Sequence, residues 1–479
     1  MLRLDNTTVE RVKRPVRVLQ FGEGNFLRAF ADWMIDIANE KGITDTGVAV
    51  VSPRFKNNAG IKALRNQDGL YHVCLEGIVD GNAVSESRLI TCIDTVLSPT
   101  DDHKAYEEVI LSPELRFVIS NTTEAGIRYE ADDVTADVPA TFPGKVTSLL
   151  YKRYRHFQGD DSKGLIFLCC ELIEDNGSRL REIVLRHARE AELPDDFIHW
   201  VENACTFCDT LVDRIVPGFP ADTIDEVKAS LGYDDNLVVK GERYHIWAIG
   251  GDGYERVREE LPLDRAGLNV LFMPSIKEFR DRKVRILNGS HTGMVPEGLL
   301  LECATVQDAF DDADLHRFIS RMVDNEVLPV IDGNPEELRR FAHGILERFY
   351  NPFIRHYLKS IALNSLSKWE ARNFPTVLDN RKKLNKYAEH ELFTFAALLA
   401  LYSPESGFTP EDNPAHVAKI KEILSQYPDE SEAVRRICAS GIFTVDFEAL
   451  VPGFSSKAGQ FLHLIKTKGT RDAMRTLEQ

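Results

Sequence analysis

At 479 residues, with 43% hydrophobic and 28% charged side chains, the chain exceeds what one hydrophobic core supports and is expected to form two or three globular domains. Lys and Arg total 58 against 75 Asp and Glu, a formal charge of −17 that excludes nucleic acid and anionic membranes as partners unless a local basic patch exists, and none is visible. The charged amino-terminal stretch and the lack of any run of about 18 apolar residues predict a cytoplasmic protein with no membrane span.

The run Val16 to Phe21 meets the glycine turn Gly22-Glu23-Gly24 and then a helical pattern, the order strand, tight turn, helix. The two glycines let the backbone turn sharply and come close to a ligand, and a helix starting there presents free N–H groups to a pyrophosphate. Leu27 stands where the usual dinucleotide fingerprint has its third glycine. The helix is expected to end near Gly42, and GVAVVSP, Gly47 to Pro53, reads as a second buried strand that completes one βαβ unit. No acid for a ribose 2′-hydroxyl follows it; Ser52, Pro53 and Arg54 come after Val51, and Arg54 suits a 2′-phosphate, so NADP stays open beside NAD.

LRFVISNTT and GLIFLCCELI are further short apolar runs bounded by polar turns. A second glycine cluster, AIGGDGYERV at Ala248 to Val257, reads as a surface hairpin. Eight cysteines include Cys169-Cys170 and the pair Cys205 and Cys208, but no second CxxC or His pair completes a zinc site, so buried free thiols of a reducing compartment are expected. From Lys283 onward apolar residues recur at helical spacing with almost no strand-like alternation. The predicted fold class is α/β: a Rossmann-like dinucleotide-binding domain with a mostly parallel sheet over 1–280, then an all-helical domain over 281–479.

The stretch KVRILNGSHTGM begins that second domain and sets Lys283, Asn288 and His291 among apolar and small residues. In one unbroken helix, steps of about 100° put Asn288 about 140° and His291 about 80° from Lys283, on one broad face. Alternatively Asn288-Gly289 interrupts the helix and Asn288 caps a new one beside His291. Oxidising a secondary alcohol by hydride transfer requires removing the hydroxyl proton while oxyanion character is stabilised, and a lysine serves proton transfer in both directions.

The pattern lysine, four residues, asparagine, two residues, histidine resembles that of the mannitol dehydrogenase family of polyol-specific long-chain dehydrogenases. So do the Val-Asp-Arg-Ile segment within FCDTLVDRIVP and the variant glycine turn QFGEGNFLRAF. The resemblance spans nearly the whole chain. It implies NAD as cofactor, held by Leu19, Gln20, Phe21, Gly22, Glu23, Gly24, Asn25, Phe26, Arg54, Asn121, Thr122 and Thr123. It implies Lys283, Asn288 and His291 as catalytic residues, and substrate contacts from Asp213, Arg214, Glu171, Asn176, Lys368 and Arg372. No metal is implied, because the lysine takes the place of the zinc or iron of other alcohol dehydrogenases, and relatives suggest a monomer.

Family members with polyol substrates carry Ser-Cys-Asp-Asn where this chain has Cys169-Cys170-Glu171-Leu172, so Leu172 replaces an oxyanion-hole asparagine and Asn288 becomes the clearer oxyanion donor. Other segments, SNTTEAGI and CELIEDNG among them, look most like the family's sugar-acid reductases. A sugar acid needs its carboxylate paired, and Arg355, Lys359, Lys368 and Arg372 are the candidates, with family position favouring Lys368.

Overall fold

In the computed structural model, which describes residues 1–52, 59–79, 82–122, 125–350 and 356–477, alternate residues of short apolar strands enter two different cores. Val18, Val48, Val50, Phe117, Ile119, Ile166 and Leu168 face one core, and Leu19, Phe21, Ala49, Val51, Val118, Phe167 and Cys169 face the other. Strands buried on both faces are the mark of a parallel sheet covered on both sides. The strands are β1 (Val16–Phe21), β2 (Gly47–Val51), β3 (Ile93–Leu97), β4 (Phe117–Ser120), β5 (Ile166–Cys169), β6 (Thr206–Asp213), β7 (Ile246–Gly250) and β8 (Val270–Met273). Their order in the sheet is 3-2-1-4-5-6-7-8; β1 to β6 are mutually parallel, and β7 runs antiparallel to β6 and parallel to β8. This is the doubly wound dinucleotide-binding order extended at one edge, with its switch point between β1 and β4. A three-stranded sheet formed by Tyr71–Val79, Asn82–Ile90 and Val239–Glu242 accompanies it.

Two local expectations are corrected. The helix after the glycine turn is not continuous to Gly42: Asn25–Arg28 is a four-residue segment, Phe30 leaves helical geometry at φ −127 and ψ −82, and α1 resumes over Ala31–Glu40. The break sends the Phe30 ring into the core against Trp247, 5.4 Å between centroids. The Gly250-Gly251-Asp252-Gly253 cluster is not a surface hairpin either. It closes β7 and opens the helix Tyr254–Glu260, with Gly251 and Gly253 both in positive φ. A hairpin and a strand-to-helix turn demand the same left-handed glycines.

Contacts divide the chain into one unit of Met1–Gly77 with Ala83–Ile276 and another of Lys277–Gln479 with Ile78–Asn82. The second is helical around one core. At its centre lies α5 (Glu389–Leu401), following α2 (Asn176–Glu190) of the first unit and α3 (Lys277–Lys283) and α4 (Gly289–Leu300) of the second. Every residue of α5 from His390 to Leu401 is buried, as a helix apolar on all sides must be. It packs on α6 (Phe454–Lys468) through rings such as Phe395 and Phe454, 5.2 Å apart.

Between α3 and α4 the chain stays helical but widens into one π turn, Val284–Asn288, in which the Gly289 N–H bonds the Val284 carbonyl five residues back. Asn288 keeps helical dihedrals (φ −72, ψ −34) and its side chain makes no cap. Of the two readings of this stretch, the helix is therefore continuous. The wider turn absorbs one residue, so Asn288 and His291 fall where positions i+4 and i+7 of an ordinary helix would. Relative to Lys283 these lie at about 40° and −20°, a spread of about 60° in place of about 140°. No helix among the described residues is long and apolar enough to cross a membrane.

Candidate active site

The first polar cluster lies at the sheet's switch point. The Gly22 N–H bonds the Val51 carbonyl at 3.0 Å and the Asn121 N–H bonds the Phe21 carbonyl at 3.0 Å, which pins the turn between β2 and β4. At Gly22 φ is +131, and a Cβ there would meet the Asn121 carbonyl oxygen at 3.0 Å and Leu27 Cδ1 at 3.1 Å. Leu27 thus packs onto the turn where a third glycine would leave space. Gly24 is exposed, and a Cβ there would meet nothing within 4 Å, so the backbone is open to close approach by a pyrophosphate and the turn fits a dinucleotide.

Beneath the turn, Gln20 Nε2 donates to the Gly22 carbonyl (3.1 Å) and to Asp32 Oδ2 (3.3 Å), and the Tyr71 hydroxyl donates to the same carboxylate oxygen (3.1 Å). Burial pushes the Asp32 carboxyl up to about 7, against the pull of those two hydrogen bonds. Leu19 and Phe21 are core residues whose side chains are fully buried. Asn25 Oδ1 accepts from Arg28, and Phe26 stacks on Phe30 at 4.9 Å. Glu23 is half-buried, and Asn121 Nδ2 donates to the Cys170 carbonyl at 2.8 Å. Arg54 and Thr123 lie outside the described residues.

Three residues expected at the substrate make internal hydrogen bonds within the first unit. Glu171 Oε1 accepts from the Thr122 N–H (2.8 Å) and hydroxyl (2.9 Å), and its Oε2 from the Ser120 hydroxyl (3.0 Å). The Asn176 carboxamide donates to the Cys169, Glu171 and Thr210 carbonyls and accepts from the Gly177 and Thr210 N–H groups. The Arg214 guanidinium donates to the Ala29, Arg243 and Tyr244 carbonyls and lies 4.1 Å over the Trp33 ring. These bonds tie neighbouring backbone segments together. Asp213 is half-buried at the end of β6, and Leu172 is exposed. The eight cysteines are free thiols, and burial pushes Cys205 and Cys208 up to about 12.

The second cluster lies on the π turn of the helical unit, where Lys283, Asn288 and His291 are all half-buried. The His291 ring stacks on Phe349 (4.3 Å, 28°) and meets the His356 ring edge-on (5.3 Å, 84°). Burial first, then the neighbouring His356, Arg348 and Arg372, hold its pKa well below the ordinary imidazole value, so the ring is neutral at pH 7. Arg372 donates to the Thr292 hydroxyl at 3.1 Å, and Lys368 to the Ile361 carbonyl at 3.0 Å; Lys359 is exposed and Arg355 lies outside the described residues. An amine, a carboxamide and a neutral imidazole on one narrow face are equipped to hydrogen-bond neighbouring oxygens of one ligand and to exchange a proton with one of them.

Behind that face is a set of residues that sequence reasoning missed. Asn373 Nδ2 donates to the Gly289 carbonyl (3.0 Å) and to Glu391 Oε2 (2.8 Å). Burial pushes Glu391 up to about 8 and Glu297, on α4, well above the carboxylate range. Both Glu297 side-chain oxygens are without a hydrogen-bond partner among the described residues. These groups come from three distant segments, and no local pattern marks them as a set. No group of three or more metal-ligating side chains occurs among the described residues.

The chain is similar to known proteins over most of its length. A model of the mannitol dehydrogenase Rossmann domain matches residues 16–263, and one of the mannitol dehydrogenase C-terminal domain matches residues 275–446. An altronate oxidoreductase of Bacillus subtilis is 46% identical over 413 residues, 86% of this chain and 84% of that one. An altronate oxidoreductase of Escherichia coli O1:K1 / APEC is 40% identical over 472 residues, 97% of each. Among solved structures, a D-sorbitol dehydrogenase in substrate-free form aligns with a TM-score of 0.83 at 22% identity, covering 99% of this chain and 100% of that one. The Pseudomonas fluorescens mannitol 2-dehydrogenase, in a ternary complex with NAD and D-mannitol, aligns with a TM-score of 0.67 at 20% identity over 97% and 95% of the two chains. These two share the fold. With both domain models matched in order over most of its length, the chain belongs to the mannitol dehydrogenase family.

Proposed function

We propose that the protein is a cytoplasmic NAD-dependent oxidoreductase of hexuronate catabolism that interconverts D-tagaturonate and D-altronate. The observation that supports the reading is the unbroken helix across the π turn, on which helical geometry sets Lys283, Asn288 and His291 within about 60° of one another. Identity of 40–46% to altronate oxidoreductases supports the choice of substrate, and eight unpaired thiols suit a reducing compartment. NAD, when bound, supplies the hydride acceptor and, in its reduced form, the donor. Gly22 and Gly24, with Glu23, Asn25, Phe26, Asn121, Thr122 and Thr123, hold it, on the strand end formed by Leu19, Gln20 and Phe21.

In the reducing direction Lys283 gives its proton to the ketone oxygen, and in the oxidising direction it takes the proton from the hydroxyl. Asn288 donates to that oxygen as negative charge develops on it. The neutral His291 orients an adjacent hydroxyl. The deciding measurement is NADH oxidation against D-tagaturonate, D-fructuronate and D-fructose, with NADPH in parallel. D-tagaturonate with NADH is expected to be turned over fastest. Preference for fructuronate or fructose would assign the scaffold to a sister activity, turnover of none of them to a non-catalytic sensor, and preference for NADPH would give Arg54 a 2′-phosphate.

A further inference from the structure

Two aromatic rings and two arginines surround His291. Phe349 stacks on the ring and carries Arg348 beside it in the chain, while Arg372 reaches the residue after His291 through its 3.1 Å hydrogen bond to Thr292. His356 closes the edge at 5.3 Å. The charges felt at His291 from His356, Arg348 and Arg372 all oppose its protonation.

Arg372 itself is half-buried, and desolvation lowers its pKa without a carboxylate to offset the loss. Other half-buried arginines of the helical unit do have one: Arg285 meets Asp379 at 2.7 Å and Arg471 meets Asp312 at 2.7 Å. A guanidinium has five N–H donors, and among the described residues Arg372 directs its hydrogen bond to a neutral hydroxyl. Removing a cation from water without a counter-charge is costly, so such a site is arranged for an anion that arrives from outside. A planar fork of donors matches a carboxylate in two parallel hydrogen bonds, which a lysine ammonium cannot reproduce. Lys368 is the weaker candidate, since its ammonium already donates to the Ile361 carbonyl.

We propose that Arg372 anchors the substrate carboxylate on the His291 side of the face formed by Lys283 and Asn288, and so sets the preference for a sugar acid over a neutral sugar. The proposal rests on the reading of the protein as a sugar-acid reductase. The test compares kcat/KM for D-tagaturonate with that for the neutral ketose bearing a hydroxymethyl group in place of the carboxylate, in wild type, Arg372→Ala and Arg372→Lys.

In Arg372→Ala the acid-over-neutral ratio is expected to fall about 30-fold or more, mainly through KM for the acid. Arg372→Lys should lie between the two, and NADH affinity, read from fluorescence quenching, should stay at the wild-type value. A ratio in Arg372→Ala within about threefold of wild type, or a loss carried by kcat alone, overturns the anchor and leaves the proposed function standing. A wild type that itself prefers the neutral ketose overturns both. Should Arg372→Ala fail to fold, Arg372→Gln keeps a donor for Thr292 and is measured in its place, and the same two thresholds decide.

Discussion

Lys283 and Asn288 stand five residues apart across a single π turn of one continuous helix, so helical geometry sets the two positions about 40° apart around its axis. In an ordinary helix the same five-residue step would turn them well away from each other. Lys283→Ala should therefore lower kcat by roughly 10³-fold, and Asn288→Ala by about 10²- to 10³-fold, while NADH dissociation constants stay unchanged in both. Stopped-flow reduction with pre-bound NADH reads the two quantities separately, and an active Lys283→Ala would sink the assignment.

The nucleotide turn can be tested through Gly22. A side chain there adopts φ +131 and presses on the Asn121 carbonyl oxygen at 3.0 Å, a backbone atom held by the sheet. Strain of this kind costs on the order of 1–3 kcal/mol, so Gly22→Ala should weaken NADH binding by roughly 5- to 150-fold. Titration of protein fluorescence with NADH checks it, with circular dichroism to confirm that the fold is retained.

Asn176 separates a brace from a substrate contact. Its buried carboxamide makes bonds to five backbone groups, at the end of β5 and just beyond it, in the middle of β6 and at the start of α2. Asn176→Ala should cost about 2–4 kcal/mol of stability in urea unfolding, with KM for the sugar acid unaltered below the transition. A raised KM without loss of stability would return Asn176 to the substrate.

Asp32 predicts a pH dependence with a defined sign. Its ordinary value is 3.8 and its folded value is pushed up to about 7. Between those limits the folded protein holds a proton that the unfolded chain has released, so its contribution to stability falls as pH rises from about 4 to 7 and is flat above. Asp32→Asn removes that slope, and its melting temperature should change less than that of wild type between pH 5 and pH 8 (approximate limits set by the same linkage). Equal slopes in the two proteins would show that Asp32 does not hold the proton.

Much of the first unit was legible because a strand buried on both faces must be apolar throughout, as GVAVV and LIFLCC are. The glycine turn was legible for the same local reason. The Gly251 and Gly253 turn was misread because positive φ says only that the chain reverses, and whether a strand or a helix follows depends on what Tyr254 onward packs against. The break at Phe30 depends on a pocket beside Trp247, more than 200 positions away. The π turn leaves no mark in residue identity, since Val284 to Asn288 would suit an ordinary helix equally well. Asn176 stands out in the sequence as part of a motif, but its bonds to Cys169, Glu171 and Thr210 appear only in the fold. Asn373 and Glu391 met only on folding, and neither carried a local signal.

The π turn also makes the site's tolerance of length changes one-sided. It amounts to an ordinary helix carrying one residue more than its turns need, so losing a codon between Lys283 and Asn288 would let the helix close into regular turns with both flanks in place. The amine, the carboxamide and the imidazole would still share a face, now at ordinary helical spacing. Gaining a codon in the same interval has no such outlet, because a second extra residue would swing Lys283 by about 100° around the axis relative to Asn288 and His291. A lineage could therefore shorten this segment and keep its chemistry, whereas lengthening it would leave a foldable helix with its three polar groups out of line.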